Sequence, residues 1–150
     1  MNKSLNSLGL MSGTSGDGVD ASVINSDGKG YYKVLINKYF KYSDEISQNI
    51  YKLKRNINDI DDVKIFSTEI NDLERKITLF HSNVVSEFTK KKDFGIDLIG
   101  FHGQTILHSP KNKYSKQLGD GNLLSQLSKK KVIFNFRQND FFQWGEGAPL

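Results

Sequence analysis

Gly9-Leu10-Met11-Ser12-Gly13-Thr14-Ser15-Gly16-Asp17-Gly18-Val19-Asp20, residues 9–20, is the stretch whose reading decides the fold. Leu5, Leu8, Leu10 and Met11 lead into it as a strand. Val19, Ala21, Val23 and Ile24 lead out of it as a second strand. The middle is too rich in Gly and Ser for a strand interior, so it reads as a turn. Glycines let backbone N–H groups approach and converge on a ligand. Thr14 and Ser15 add hydroxyls, and Asp17 adds one carboxylate. That is the inventory of a phosphate cradle with a magnesium-side acid. The alternative is a Gly-rich hairpin whose Asp and Ser only satisfy the turn, and composition leaves both open.

Outward from this turn, Ser26-Asp27-Gly28-Lys29-Gly30 marks a second turn, and Tyr31 to Phe40 reads as a third strand. Three strands with short connections predict an antiparallel meander. Ile46, Ile50 and Leu53 then predict a short helix capped by Ser43 or Asp44. Apolar residues recur at Ile60, Val63, Phe66, Ile70, Leu73, Ile77, Phe80, Val84 and Phe88. This spacing predicts one helix of about eight turns with a single apolar stripe. Asp59 would cap its start and the Lys90-Lys91-Lys92 run its end. The spacing also satisfies a heptad, so a coiled coil is the alternative to a helix laid on a sheet. His81 beside the stripe reads as structural.

Asp93 to Gly95 would break the helix, and Ile96 to Phe101 reads as a buried strand. His102 and Gln104 follow at its carboxyl end, where α/β sheets bind ligands. They could grip a polar ligand, or His102 could only cap a turn. A polar loop is expected to run on to Lys116. Asp120 would cap a short helix carrying Leu123, Leu124 and Leu127. Val132 to Phe134 would be a further strand, and Trp144 to Leu150 a Gly-rich loop.

The totals set bounds. A length of 150 residues suits one domain. A net charge of +4 is too small for a nucleic-acid signature, so no nucleic-acid partner is expected. The absence of cysteine excludes disulfides and thiolate catalysis. No signal peptide or membrane-spanning run is visible, so the expectation is a cytoplasmic protein with no membrane partner.

The order of residues 9–20 closely resembles the opening of anhydro-N-acetylmuramic acid kinases, sugar kinases of the actin and heat-shock ATPase superfamily. Later segments resemble the same family in order. They are Ile99-Gly100-Phe101-His102-Gly103-Gln104-Thr105, Gln117-Leu118-Gly119-Asp120, Phe136-Arg137 with Asp140, and Gly145-Glu146-Gly147-Ala148-Pro149-Leu150. Four positions depart from the family pattern. Gly16 stands where Leu is usual, a change expected to loosen the loop. Asn135 stands for Asp, Trp144 for Gly and Glu146 for Gln.

The resemblance implies an α/β fold: the N-terminal domain of an actin-like ATPase (ribonuclease H-like). It would hold a mixed sheet with an antiparallel hairpin meander and flanking helices. Residues 1–150 would form this domain, incomplete at the C-terminus. The implied activity is ATP-dependent opening and phosphorylation of 1,6-anhydro-N-acetylmuramic acid, with ATP and Mg2+ as cofactors. Gly13, Thr14, Ser15, Gly16, Asp17, Gly18, Val19 and Asp20 would bind the ATP phosphates. Asp17 would also hold magnesium through water. Asp17 and Arg137 are the catalytic candidates. His102, Gln104, Arg137 and Gly147 are the candidates for the sugar. The alternative for Arg137 is an ion pair with Asp140 or Asp120. Family members continue past the Gly-Ala-Pro-Leu segment with the parts that supply the catalytic carboxylate and the adenine site. The 150 residues by themselves are therefore expected to be inactive as a kinase. ATP and an anhydro-amino-sugar are the expected partners, with a homodimer allowed. The competing class is a non-catalytic nucleotide-binding module, or an interaction module built on the long helix.

Overall fold

Alternation of apolar residues along the first strand sets the sheet. In β1 (Leu5–Met11) Leu8 and Leu10 are buried on one side, and in β2 (Gly18–Ser26) Val19, Ala21 and Val23 are buried with them. The computed structural model describes residues 4–90 and 95–148. The two strands run antiparallel from Leu5↔Ser26 to Met11↔Asp20. β3 (Tyr32–Lys41) pairs antiparallel with β2, with a bulge at Val23/Ile24, and completes the expected meander.

The chain then crosses the sheet through α1 (Asp44–Asn56), α2 (Ile60–Ile65) and α3 (Ser67–Thr89). It returns as β4 (Leu98–Phe101), parallel to β1. After a two-stranded hairpin of β5 (Gln104–Ser109) and β6 (Tyr114–Leu118) comes α4 (Gly121–Ser128). β7 (Lys131–Ile133) then adds parallel to β4, and α5 (Phe136–Phe142) follows. The main sheet has the order β3-β2-β1-β4-β7. It is therefore mixed, an antiparallel meander extended by two parallel strands.

Helix caps fall where short polar side chains can take an orphan N–H. Ser43 accepts from Ile46 N, Asp59 and Asp62 form a reciprocal capping box, and Asp120 accepts from Leu123 N. The expected single long helix is two helices. Phe66 leaves helical geometry at φ −90°, ψ 21°, although its own N–H still bonds Asp62 O. The apolar spacing runs unbroken through this kink, which is why spacing did not reveal it. Ile70, Leu73, Ile77, Val84, Val85 and Phe88 of α3 are buried in the same core as Leu8, Leu10 and Ile99. The stripe is thus spent on this chain's own sheet, which removes the coiled-coil alternative.

The expected loop before Lys116 is also corrected. Tyr114–Leu118 forms a strand opposite Gln104–Ser109, reached through a single 3₁₀ turn at Pro110–Asn112 and a left-handed Lys113. α3 holds this hairpin's far end. Glu74 Oε1 accepts from Lys116 Nζ (3.1 Å) and Gly119 N (3.2 Å), and Thr78 Oγ1 accepts from Asp120 N (2.9 Å). The Lys91-Lys92 part of the basic run, the Asp93 break and Pro149-Leu150 lie outside the described residues. Among the described residues no helix is long and apolar enough to cross a membrane.

His81 is buried completely, as its place beside the stripe suggested. Its Nδ1 faces the Ile77 carbonyl at 2.8 Å, an acceptor only, so Nδ1 carries the proton. Nε2 is then an acceptor, and Ser12 Oγ donates to it at 3.4 Å. Tyr42 OH in turn donates to Ser12 Oγ at 2.8 Å. Every hydrogen in this buried chain is therefore directed. Burial pushes the His81 imidazole down to about 4. Unfolding would restore its ordinary value near 6.5, so the unfolded chain takes up this proton first as pH falls. Stability from this ring is complete above about pH 6.5 and should fall by roughly 3 kcal/mol as pH drops toward 4. Urea melts across that range should show the loss, and the slope should flatten in a His81→Gln variant.

Candidate active site

The turn between β1 and β2 stands on a buried floor. Ser12 is sealed beneath it, while Thr14, Ser15 and Asp17 are exposed. Gly16 N donates to Gly13 O at 3.3 Å, and Tyr42 N donates to Asp17 O at 2.9 Å. Among the described residues, no protein acceptor takes the N–H groups of Gly13, Thr14 or Ser15. The Ser15 hydroxyl donates to Asp17 Oδ1. That bond above all, joined by backbone amides and the Tyr39 hydroxyl, holds the Asp17 carboxyl below its usual range. Asp17 is therefore ionised at neutral pH.

The rest of the predicted phosphate set divides. Gly18, Val19 and Asp20 are the first residues of β2, where Val19 points into the core and Asp20 pairs with Met11 and Tyr39. Gly16 sits at φ +72°, and a Cβ on it would lie 2.7 Å from Ile50 Cγ2. The turn is packed against α1 at this point, contrary to the expected loosening. α1 also sends Lys54, whose Nζ donates to Thr14 O. Nothing in the local sequence marks Lys54, because its partner lies 40 residues away.

The second group forms at the carboxyl ends of β4 and β7. Arg137 Nε donates to His102 Nε2 at 3.0 Å, and Arg137 Nη1 donates to Gly147 O at 3.0 Å. Gly147 N donates to Asp140 Oδ2 at 2.8 Å. His102 Nδ1 donates to Gly103 O at 2.9 Å, so its Nε2 is a neutral acceptor. The alternative reading of Arg137, an ion pair with Asp140 or Asp120, is not what forms. Asp140 accepts from Gly147 N and Asp120 caps α4, and among the described residues no carboxylate forms an ion pair with the guanidinium. The crevice between His102, Gln117, Gly119, Asn135 and Arg137 holds about 10 Å³, room for no more than a water. A larger ligand would lie across its mouth.

Gln104 is not in this group. It is completely buried, and its Nε2 donates to Gly13 O at 2.9 Å, under the β1–β2 turn. A groove of about 210 Å³ between α1 and α3, lined by Asn49, Leu53, Phe66, Asp72 and Lys76 among others, shares no residue with either group. Among the described residues no cluster of three or more His, Asp or Glu could ligate a metal unaided.

Burial first, and then the neighbouring Arg137 charge, lowers the His102 pKa. An Arg137→Met variant should raise it without returning it to the ordinary 6.5, because burial persists. The imidazole C–H resonances followed by NMR against pH would measure this.

A mixed sheet that opens with a meander, continues in parallel strands and carries a glycine turn between its first two strands defines an actin-like ATPase or sugar-kinase N-terminal domain. The sequence model of the family described as anhydro-N-acetylmuramic acid kinase matches residues 5–150. The chain is 54% identical over 150 residues to the anhydro-N-acetylmuramic acid kinase of Pelagibacter ubique, covering 100% of this chain and 40% of that one. It is 37% identical over 146 residues to the kinase of that name from Agrobacterium fabrum, covering 95% and 39%. For the one from Rhizobium etli the identity is 34% over 146 residues, covering 95% and 40%. The chain belongs to the anhydro-N-acetylmuramic acid kinase family, and it spans about 40% of the length of these curated relatives.

Proposed function

We propose that these residues are the phosphate-gripping part of an ATP-dependent kinase. Its reaction opens 1,6-anhydro-N-acetylmuramic acid and yields N-acetylmuramic acid 6-phosphate. The observation that carries this reading is the set of unclaimed N–H groups at Gly13, Thr14 and Ser15 beside an ionised Asp17, in a chain of this family. Three amides, the Thr14 hydroxyl and the Lys54 ammonium suit the oxygens of a polyphosphate. A single exposed carboxylate suits Mg2+ that keeps several waters and takes its other ligands from phosphate. The ion would neutralise charge on the phosphates.

In the reaction, water adds to the anomeric carbon as its bond to O6 breaks. O6 then takes the γ-phosphoryl group of ATP, and the proton of the water passes to a base. Such transfers depend on positioning and electrostatic stabilisation. Residues 13–17 are assigned to the phosphates, with Gly18 to Asp20 supporting the turn from β2. His102, Arg137 and Gly147 are assigned to the sugar side. The Arg137 guanidinium suits the lactyl carboxylate of muramic acid. The general base is not among the residues assigned here. The substrate comes from peptidoglycan turnover, so the role is cell-wall recycling, and use of ATP fits a cytoplasmic enzyme.

The protein encoded by the whole reading frame, supplied with MgATP and the anhydro-sugar, should release the 6-phosphate. An Asp17→Ala variant should lower kcat/KM by about 10²-fold, the scale seen when one preorganised charge-stabilising group is removed. Absence of product from the parent protein, or full activity in the variant, would overturn the reading.

A further inference from the structure

Residues 102–104 leave β4 as one tight turn whose two ends serve different places. His102 meets Arg137, and Gln104 meets Gly13. Between them Gly103 has φ +75°, and a Cβ there would lie 2.5 Å from the Leu118 carbonyl oxygen. Backbone packing therefore fixes the shape of this turn.

The Gln104 carboxamide is completely buried. Its Nε2 donates to Gly13 O at 2.9 Å and to Thr105 O at 3.3 Å. Both partners are carbonyls, so the amide has one permitted orientation. Its Oε1 is buried without a hydrogen bond among the described residues. An unsatisfied buried acceptor is costly, and an apolar side chain of the same size would avoid that cost. The bond to Gly13 O is what such a side chain would lose.

That bond has a directional consequence. A trans peptide is planar, and its C=O and N–H point in opposite directions. Drawing the Gly13 carbonyl inward toward Gln104 turns the Thr14 N–H of the same peptide away from the core. We propose that Gln104 is a positioning residue for the β1–β2 turn, holding the Gly13–Thr14 peptide with its N–H presented to a phosphate. What the turn binds rests on the kinase reading above; the orientation of the peptide does not.

The test uses the full-length protein and MgADP as probe. A Gln104→Met variant keeps the volume and removes the donor. By calorimetry its MgADP dissociation constant should rise about tenfold, while affinity for the anhydro-sugar stays within about twofold. Unchanged MgADP affinity, or a loss confined to the sugar, would overturn the proposal. A Gln104→Glu variant guards against a folding defect, since its protonated carboxyl regains a donor and its carboxylate does not. Its MgADP affinity should therefore match the parent's at low pH and fall as pH rises and the carboxyl ionises, and affinity as weak as that of Gln104→Met at low pH counts against the proposal. If the parent protein binds no MgADP, the kinase reading fails by itself. The Thr14 amide resonance of the ligand-free protein then decides: a shift in Gln104→Met supports the inference, and an unmoved resonance ends it.

Discussion

β1 is hydrogen-bonded along both edges, antiparallel to β2 on one side and parallel to β4 on the other. This double pairing is the constraint on which the site depends. Leu10 pairs with Phe101, and Gly100 pairs with Ile133, so β1, β4 and β7 end at one edge of the sheet. From that edge emerge the Ser12–Asp17 turn, the His102–Gln104 turn and the segment leading to Arg137. Carboxyl ends of parallel strands are where α/β sheets bind ligands. Here the register brings together residues separated by more than 120 positions, before any side chain makes a contact.

Beneath that edge the protein buries polar groups where an apolar core would be cheaper. Ser12, Tyr42 and His81 form a chain in which each hydrogen has one permitted direction. Burial also pushes the Tyr42 hydroxyl well above its ordinary range, so it stays a donor. The chain ties the end of β1 to α3 and to the residue after β3. Such satisfied networks rigidify their surroundings. A rigid floor favours phosphate binding, because amides fixed in advance cost little to reorganise.

Much of this was legible in the sequence, and the limits have physical causes. Strand alternation at Leu8, Leu10, Val19, Ala21 and Val23 fixed the meander. Ser43, Asp59 and Asp120 marked helix starts because capping is a local interaction. β6 was not legible, since Tyr114-Ser115-Lys116-Gln117-Leu118 lacks alternation and is only partly buried. α5 was missed for a related reason: it is short, and its Asn135 N-cap is left-handed and makes no side-chain capping bond. The partners of the site side chains were least legible. Gln104 reaches back 91 residues to a carbonyl, a group every residue possesses and no sequence distinguishes. Arg137 passes over the nearby Asp140 for His102, 35 residues away.

The left-handed Gly16 under Ile50 has a bearing on how this protein could be edited. The two positions are 34 apart in the chain yet occupy one volume, so the branched methyl of Ile50 fills the space a longer side chain at 16 would need. Installing a Leu at 16 would therefore be a paired operation. It would require trimming at 50 and a different backbone path at 16. A swap made one position at a time would meet a steric barrier that neither residue reveals by itself.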